Sequence, residues 1–536
     1  MKKLSVLALM LLICVLAATL SACTQYDYFE RPEEHDYVKG HEFDEGFGNT
    51  NNGYAKDGKE VERLISVVPS ERQLDYMELE YYNFIHFGMN TFTGDEWGSG
   101  EEDPDDFDPE ELNTDQWCET LKASGSKGVI ITAKHHDGFC LWQTSTTKHS
   151  VASSPWKDGK GDVIADLSKS CEKYGLKMGI YLSPWDMNAE SYGDTEAYNE
   201  FYMAQLTELL SGKYGPDFDG DGKGEIFCVW MDGARGEEVP ADFEYHMDEW
   251  EDLIWTLQPD CVAANMGSEV RWVGNEAGIA RESEWSVVSR GNAANQEFQG
   301  SEEDAERLQS VSAEAEDMGS RELLAKYQDL VWYPSETDVS IRKGWFYHWN
   351  QSPKDLEHLM QIYFTSVGGN SSLLLNVPPN KDGLIADKDV KRLTEFGNAV
   401  QATKERALEV EKIAVGYAEN GAETMREKEG LKALLNTDRD GYTFESDEYI
   451  LDLHLKEKAS LGRIDLREDT RSSQRVELFE VWVETESGWT LIGDSTIIGN
   501  RRILLFENAP ASDRVRIVIR QSRSVPVLRS IELYAA

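Results

Sequence analysis

The sequence predicts an α/β chain, with a (β/α)8-like, TIM-type barrel followed by an antiparallel β-sandwich. Three observations predict this class. Short apolar runs alternate with longer stretches of helical period over about 300 residues, as in a parallel sheet with crossover helices. The runs are apolar on both faces, which is typical of buried parallel strands. No glycine-rich phosphate loop follows the first run, so a barrel is favoured over an open doubly wound sheet.

The predicted barrel occupies residues 61–410. Its clearest strands are YNFIHFG (82–88), KGVIITAK (127–134), LKMGIYLS (176–183), EIFCVWMD (225–232) and CVAANM (261–266). Helices are predicted between them at 114–123, 162–174, 195–213 and 241–257. The later units are less regular, because an acidic, helix-prone insertion spans 298–330. Strand-like patterns resume in WYPSETDVSIRKGWFYHW (332–349) and SSLLLNVPP (371–379).

The pattern changes again after a helical stretch that ends near Val410. The runs YILDLHL, RVELFEVWVET, RILLFE and RVRIVIRQ are separated by turns of Gly, Asn, Asp and Ser. Short strands with such turns are typical of antiparallel sheets. We therefore expect a β-sandwich domain at 415–536.

The N-terminus predicts export. Two lysines precede the apolar stretch 4–20, which is shorter than the ~20 residues of a spanning helix, so residues 1–22 are interpreted as a signal peptide. The stretch ends in LSAC, which resembles the lipobox of bacterial lipoproteins and would make Cys23 the lipidated residue. An ordinary secretory signal with a chance cysteine is the alternative. Residues 23–60 are expected to form a flexible tether, and the protein is predicted to be a cell-surface or periplasmic lipoprotein.

Composition limits the partners. The chain has 536 residues, with 99 Asp and Glu against 53 Lys and Arg, a formal net charge of −46. This charge repels nucleic acid and anionic lipid, so we expect no nucleic-acid partner and membrane contact only through the N-terminal lipid. Five cysteines follow Cys23 without a CxxC pair. The odd number favours buried free thiols over a disulfide framework or a zinc site.

Polar and aromatic residues end the first four predicted strands. The strands end in HFG, KHHDG, YLSPWD and WMDG, which include His86, His135, His136 and Asp232. Active sites of such barrels lie at the C-terminal ends of the strands, so these side chains are expected to share one site. Neutral imidazoles suit sugar hydroxyls, and indole rings suit the apolar faces of a sugar. The pattern therefore favours a carbohydrate site.

Hydrolysis of a glycosidic bond requires two carboxyl groups. Asp232 is the natural first one, because it closes an apolar strand and Gly233 leaves room beside it. Three residues are candidates for the second: Glu276 in RWVGNE, Glu336 in YPSE, and Glu284 before a tryptophan. The spacing of these residues does not choose among them.

Four longer segments contain these strand ends: HFGMNTFTGDEWGSG (86–100), ITAKHHDGFCLW (131–142), GIYLSPWD (179–186) and VWMDGARG (229–236). Together they resemble the α-L-fucosidases of glycoside hydrolase family 29. The resemblance implies a retaining exo-fucosidase with a β-sandwich after its barrel, with Asp232 as the nucleophile. It also implies that the fucose is held by His86, Glu96, Trp97, His135, His136, Tyr181 and Trp230.

Two further segments, RWVGNEAG (271–278) and YPSETDVSIRKGWFYHW (333–349), resemble the branch that acts on α-1,3/1,4-linked fucose. This resemblance implies Glu276 as the acid/base, Trp345 as a wall of the leaving-group subsite, and Glu336 as a structural or subsite residue. For a retaining enzyme the two catalytic carboxyl groups are expected about 5 to 5.5 Å apart. A fucosidase of broader linkage specificity is the alternative within the family.

An acidic run before the fourth strand is a candidate calcium loop. Asp217, Asp219 and Asp221 are spaced as at the start of an EF-hand, but Cys228 stands where the bidentate glutamate would be, which excludes that motif. A shorter structural calcium loop and a solvated acidic turn both remain open. No cofactor is required, because the retaining mechanism needs no metal.

Two other classes fit parts of the sequence. A metal-dependent hydrolase would use His86, His135, His136 and Asp137, but adjacent strand residues point to opposite faces, so both neighbouring histidines cannot be ligands without a bulge. A glycan-binding surface lipoprotein without turnover would also suit the predicted tether and sandwich. The retained carboxylate pair favours an enzyme.

Overall fold

The computed structural model describes residues 53–54, 58–236, 239–289, 315–327, 329–419, 422–436 and 441–536. The predicted signal peptide, Cys23, most of the predicted tether and most of the acidic insertion lie outside these residues. In the described part of the chain, no helix is long and apolar enough to cross a membrane. The described residues that fall within 51–417 and 423–536 form one compact unit.

The described residues from 53 to 402 contain the eight strands of the barrel, three strands that belong to other sheets, and the helices around them. The strands are β1 Gly53–Tyr54, β2 Tyr81–Ile85, β3 Gly128–Lys134, β4 Lys177–Leu182, β5 Ile226–Met231, β6 Val262–Asn265, β7 Arg271–Trp272, β8 Val287–Ser289, β9 Leu330–Trp332, β10 Ser335–Ser340 and β11 Ser371–Asn376. The helices are α1 Gly58–Ile65, α2 Glu71–Met77, α3 Met89–Thr93, α4 Thr114–Ala123, α5 Val163–Tyr174, α6 Thr195–Leu210, α7 Met247–Leu257, α8 Arg321–Leu324, α9 Leu356–Ser366 and α10 Asp387–Ala402.

Eight parallel strands form the barrel, in the order β6-β5-β4-β3-β2-β11-β10-β7. A parallel bridge between Ala264 and Val270 brings the two end strands together, so the sheet is nearly closed. The predicted barrel is thus confirmed. Residues 341–349, which carry a strand-like pattern, instead form the loop after β10. The amide of Gly344 bonds to the side chain of Gln351, and the amides of Trp345 and Phe346 bond to the side chain of Glu96, so the pattern does not continue the sheet.

Helices cover the outside of the barrel. Several of them begin at a polar capping residue, and their apolar faces are buried against the strands. The side chains of Asn113, Asp162, Asp194 and Asp355 each accept a hydrogen bond from the first turn of a helix. The barrel interior is unusually aromatic, with Tyr82, Phe84, Tyr181 and Trp230 packed together.

The C-terminal region consists of two further sheets. Its strands are β12 Val410–Glu419, β13 Ala422–Arg426, β14 Tyr442–Thr443, β15 Ile450–Ala459, β16 Leu461–Glu468, β17 Val476–Thr485, β18 Gly488–Ser495, β19 Arg502–Leu505, β20 Ser512–Ser522 and β21 Val527–Ala535. One sheet has the order β13-β12-β15-β20-β17-β18, with β1 added in parallel to β20, and the other has the order β14-β21-β16-β19. Apolar residues of both sheets, among them Leu453 and Ile464, share one core. The predicted antiparallel region is confirmed.

Cysteines in the described residues are buried free thiols, as expected. They are Cys118, Cys140, Cys171, Cys228 and Cys261. Burial raises the pKa of Cys228 and Cys261 well above the ordinary value. These thiols therefore act as small apolar core residues.

Candidate active site

The C-terminal ends of β2 to β5 bring the predicted sugar-binding residues to one mouth of the barrel. The rings of His86 and His135 lie 5.9 Å apart, His135 stacks on Tyr181 at 5.6 Å, and Tyr181 stacks on Trp230 at 5.3 Å. Parallel strands end at the same edge, so four separate segments converge here. The result is a continuous lining of aromatic and imidazole rings.

Asp232 follows β5 directly and is held at this mouth. Tyr181 Oη donates to Asp232 Oδ2 at 3.0 Å, and the Ala234 amide donates to Oδ1 at 2.8 Å. His136 Nε2 lies 3.9 Å from Oδ2. The side chain keeps 26% of its surface exposed. The carboxylate is therefore oriented by two donors while remaining open to a ligand.

The three histidines are held in the neutral form by burial. Burial lowers the pKa of His86 to about 3 and lowers the pKa of His135 and His136 as well. His86 Nδ1 bonds to Asn376 Oδ1 at 2.9 Å, and the Asn376 amide nitrogen donates to the Trp345 carbonyl at 2.8 Å. These contacts place the proton of His86 on Nδ1, so Nε2 is an acceptor.

His136 is oriented in the same manner. Its Nδ1 bonds to Ser183 Oγ at 2.7 Å, and that hydroxyl donates to the Trp185 carbonyl at 2.6 Å. Ser183 must then accept from His136, so His136 Nε2 is also an acceptor. Two neutral imidazole acceptors beside a carboxylate can receive hydrogen bonds from sugar hydroxyls.

Glu96 and Trp97 lie on the loop after α3. Glu96 Oε2 accepts from the amides of Trp345 and Phe346 at 2.9 and 3.3 Å, and its Oε1 bonds to His348 Nε2 at 2.7 Å. Trp97 is 59% exposed and packs edge-on against His136 at 6.2 Å. Trp97 therefore lines the mouth, while the carboxylate of Glu96 is engaged with the loop after β10.

Glu276 reaches the same mouth from the loop after β7. Its carboxyl accepts a hydrogen bond from the side chain of Trp345, whose ring lies 5.0 Å from that of His86. Burial of the carboxyl and the negative charges of Asp232 and Glu96 raise the pKa of Glu276, against the hydrogen bond from Trp345. A raised pKa suits a carboxylic acid that donates a proton.

The other two candidate glutamates are in different surroundings. Glu284 is fully buried and ion-paired with Arg271 and Arg281, and although burial alone would raise its pKa, these two cations lower it. It therefore lacks a proton to donate. Glu336 is buried below the mouth, where Trp230 Nε1 donates to it at 2.6 Å and Tyr82 also bonds to it. Glu336 supports Trp230 from beneath, and burial raises its pKa.

Three residues at the mouth were given no role of their own from the sequence. Asn376, which orients His86, ends β11 and follows the same strand-end rule as the histidines. Trp185, whose ring lies 4.9 Å from His136, stands in the SPWD segment after β4. His348, which bonds to Glu96, carries no signal in the sequence, because it lies on a loop whose course depends on contacts between distant segments.

The acidic run lies at the opposite end of the barrel, before the start of β5. Oxygen atoms of Asp217, Asp219 and Asp221 come within 4.8 Å of one another, the only such group of possible metal ligands among the described residues. Backbone amides already donate to these carboxylates, as from Gly220 to Asp217 at 2.8 Å. The arrangement fits an acidic turn as well as a cation, and a calcium ion there stays a prediction.

Known proteins resemble this chain over most of its length. A family model described as alpha-L-fucosidase matches residues 59–405. Alpha-L-fucosidase 1 of Arabidopsis thaliana is 39% identical over 473 residues, covering 87% of this chain and 87% of that protein.

Solved structures agree with this similarity. A Bacteroides ovatus protein, described as a candidate alpha-L-fucosidase, has 43% identity and a TM-score of 0.77, covering 90% of this chain and 77% of that one. A family 29 fucosidase of Ruminococcus gnavus, solved in complex with fucose, has 30% identity and a TM-score of 0.73, covering 92% of this chain and 98% of that one. The chain therefore belongs to the α-L-fucosidase family, glycoside hydrolase family 29, and is a glycoside hydrolase.

Proposed function

We propose that this enzyme is a retaining exo-α-L-fucosidase that removes terminal α-1,3/1,4-linked L-fucose from branched glycans. Asp232 is the nucleophile and Glu276 the acid/base. The observation that carries the proposal is the position of Asp232, which Tyr181 and the Ala234 amide orient at the mouth that Glu276 also reaches. Membership of the α-L-fucosidase family supports L-fucose as the sugar that is released, and the two carboxyl groups support hydrolysis of its glycosidic bond.

The proposed reaction has two steps. First, a carboxylate oxygen of Asp232 bonds to the anomeric carbon of fucose while the bond to the leaving oxygen breaks, and that oxygen takes the proton of Glu276. Second, the ionised Glu276 takes a proton from water, whose oxygen displaces Asp232 from the anomeric carbon. Glu276 is protonated again at the end, and no other reactant is consumed.

The lining of the mouth suits a deoxy-sugar. His86 Nε2 and His136 Nε2 are acceptors for sugar hydroxyls. The rings of Trp97, Trp230 and Trp345 offer apolar surface to the methyl group and the C–H faces of fucose. Because the three imidazoles are neutral, they place no positive charge beside Asp232.

Asp232→Asn tests the nucleophile. We expect loss of turnover on an aryl α-L-fucoside, by a factor on the order of a thousand or more, because the amide cannot form the glycosyl-enzyme. Fucose binding, measured by calorimetry, should largely remain. Hydrolysis at the wild-type rate would show that Asp232 is not the nucleophile. An inactive wild type that binds fucose would support a glycan-binding protein without turnover.

A linkage screen tests the substrate class. The GNE and YPSETDVS segments support action on α-1,3/1,4 linkages, and we expect faster release of fucose from a branched Lewis trisaccharide than from linear 2′-fucosyllactose. Comparable rates on both would favour the broader specificity, and the reverse order would contradict the proposed branch. Fucose release is quantified by chromatography with both substrates at equal concentration.

The N-terminal sequence supports a location for this activity. A signal peptide at 1–22 and lipidation of Cys23 would tether the enzyme at the cell surface or in the periplasm, where fucosylated oligosaccharides and glycoconjugates are its proposed partners. Any calcium at Asp217, Asp219 and Asp221 would be structural, because these residues lie at the end of the barrel away from the mouth.

A further inference from the structure

The loop after β10, residues 341–351, carries Trp345 and is braced from several directions. Arg342 bonds to Asp389 at 2.8 Å and donates to the Gln351 carbonyl at 2.7 Å. Lys354 Nζ donates to the Ser340 carbonyl at 2.7 Å. The base of this Trp345 loop is therefore fixed by buried or half-buried cations that bond to its backbone.

The upper part of the Trp345 loop is held by Glu96. One carboxylate oxygen accepts from two loop amides, Trp345 and Phe346, and the other bonds to the ring of His348. Gly344 leaves the space that this carboxylate occupies, because a Cβ there would overlap Glu96 Oε1. The His348 bond therefore fixes the orientation in which Glu96 can bind both amides.

The bonds of Glu96 to the Trp345 loop and to His348 form a clamp, and Trp345 connects this clamp to the reacting groups. Its side chain hydrogen-bonds to Glu276, and its carbonyl accepts from Asn376, which orients His86. A shift of the Trp345 backbone would thus disturb the proposed acid. We propose that His348 is a positioning residue for proton donation by Glu276, acting through Glu96 and Trp345. This inference rests on the proposed role of Glu276.

The test compares two leaving groups in His348→Ala and His348→Gln. An activated aryl fucoside needs little protonation, whereas a fucosylated trisaccharide needs the acid. We expect His348→Ala to lower kcat on the trisaccharide on the order of tenfold more than on the aryl fucoside. His348→Gln should recover most of this loss, because its amide can donate to Glu96 Oε1.

Glu276→Ala, measured in parallel, separates this inference from the proposed function. It should show a larger loss on the trisaccharide than on the aryl fucoside. If Glu276→Ala shows this larger loss on the trisaccharide but His348→Ala does not, the positioning role of His348 is wrong, while Glu276 remains the acid. The positioning role is also wrong if His348→Gln recovers none of the lost rate. If Glu276→Ala lowers both rates equally, the acid assignment itself is wrong.

Two further variants guard against a general loss of structure. Gly344→Ala disturbs the same clamp from the loop side and should reproduce the dependence on leaving group if His348→Ala folds poorly. His358→Ala, at an exposed position of α9, removes a histidine that is not among the site residues and should leave both rates unchanged. Equal losses on both substrates in His348→Ala and Gly344→Ala, with unaltered thermal unfolding, would overturn the inference.

Discussion

Asp137 lies just after the histidine pair and is almost completely buried. The Phe139 amide donates to its Oδ1 at 2.7 Å, and Asn90 Nδ2 lies 3.1 Å from Oδ2. Burial, together with the nearby charges of Glu102 and Asp186, raises the pKa of Asp137 to about 8. Asn90 Oδ1 has no partner, so a half-turn of that amide would let it accept the proton of a neutral Asp137.

Asp137→Asn should therefore change the pH dependence of stability. The folded pKa of about 8 exceeds the ordinary value of 3.8, so the folded state keeps a proton that the unfolded chain loses. Wild-type stability falls as the pH rises between these values, and the asparagine variant avoids this loss. As the pH rises, we expect the unfolding free energy of the variant to increase relative to that of the wild type by up to about 1.4 kcal/mol per pH unit. Urea unfolding at pH 5.5 and 7.5 measures it, and an advantage that does not change with pH would contradict it.

Single residues were predictable from the sequence where a strand end fixed their place. His86, His135, His136 and Asp232 follow apolar strands, and the structure brings them together. The choice among the three glutamates was not predictable from spacing. It depends on partners from distant segments, such as the two arginines around Glu284.

At the level of elements, glycines shape the loops that carry the site. The loop after β3 turns at Gly138, which has φ +82°, a conformation that a side chain adopts only with strain. A Cβ there would also overlap Asp186 Oδ1. Asp186 in turn is buried and bonds to Lys134 at 2.8 Å, so it has little freedom to move away.

Gly138→Ala should lower both stability and activity. The strained φ costs about 1 kcal/mol, and the overlap with Asp186 adds to it by shifting the loop that carries His135 and His136. We expect kcat/KM on an aryl fucoside to fall on the order of tenfold or more. Gly125→Ala is the matched control, because Gly125 has φ +89° with nothing within 4 Å of its Cβ. Equal effects in both variants would rule out the packing argument.

The elements themselves were predictable to different degrees. Strands β2 to β6 match the predicted apolar runs, because burial on both faces leaves a continuous signal. Strand β7 has only two residues, and no apolar run in the sequence predicted it. The aromatic pattern at 342–349 resembles a strand. Some of its side chains instead line the mouth, as Trp345 does, or hold the loop in place, as His348 does.

At the scale of the whole molecule, charge pairs join the barrel to the β-sandwich. Glu80, just before β2, bonds to Arg467 of β16 and to Arg501, which directly precedes β19, the latter at 2.7 Å. Arg501 also bonds to Asp465 at 2.6 Å. The sequence predicted both regions but could not predict this junction, because it pairs residues almost 400 positions apart with no local signal.

Glu80→Gln should weaken this junction. The half-buried Arg467 and the buried Arg501 would both lose the carboxylate of Glu80, although Arg501 keeps its bond to Asp465. We expect this loss to cost about 3 kcal/mol of unfolding free energy at pH 7. Although burial alone would raise the pKa of Glu80, Arg467 and Arg501 lower it, so its ionised form stabilises the fold above the ordinary pKa of 4.5. That stabilisation is lost as the pH falls below 4.5, so the gap between wild type and variant should narrow at pH 3.5. Glu409→Gln, which removes an exposed partner of Lys456, should change stability little at either pH. The wild type and Glu80→Gln could instead have the same unfolding free energy at pH 7, or differ by the same amount at pH 7 and pH 3.5. Either result would mean that the ion pairs of Glu80 orient the two regions without stabilising them.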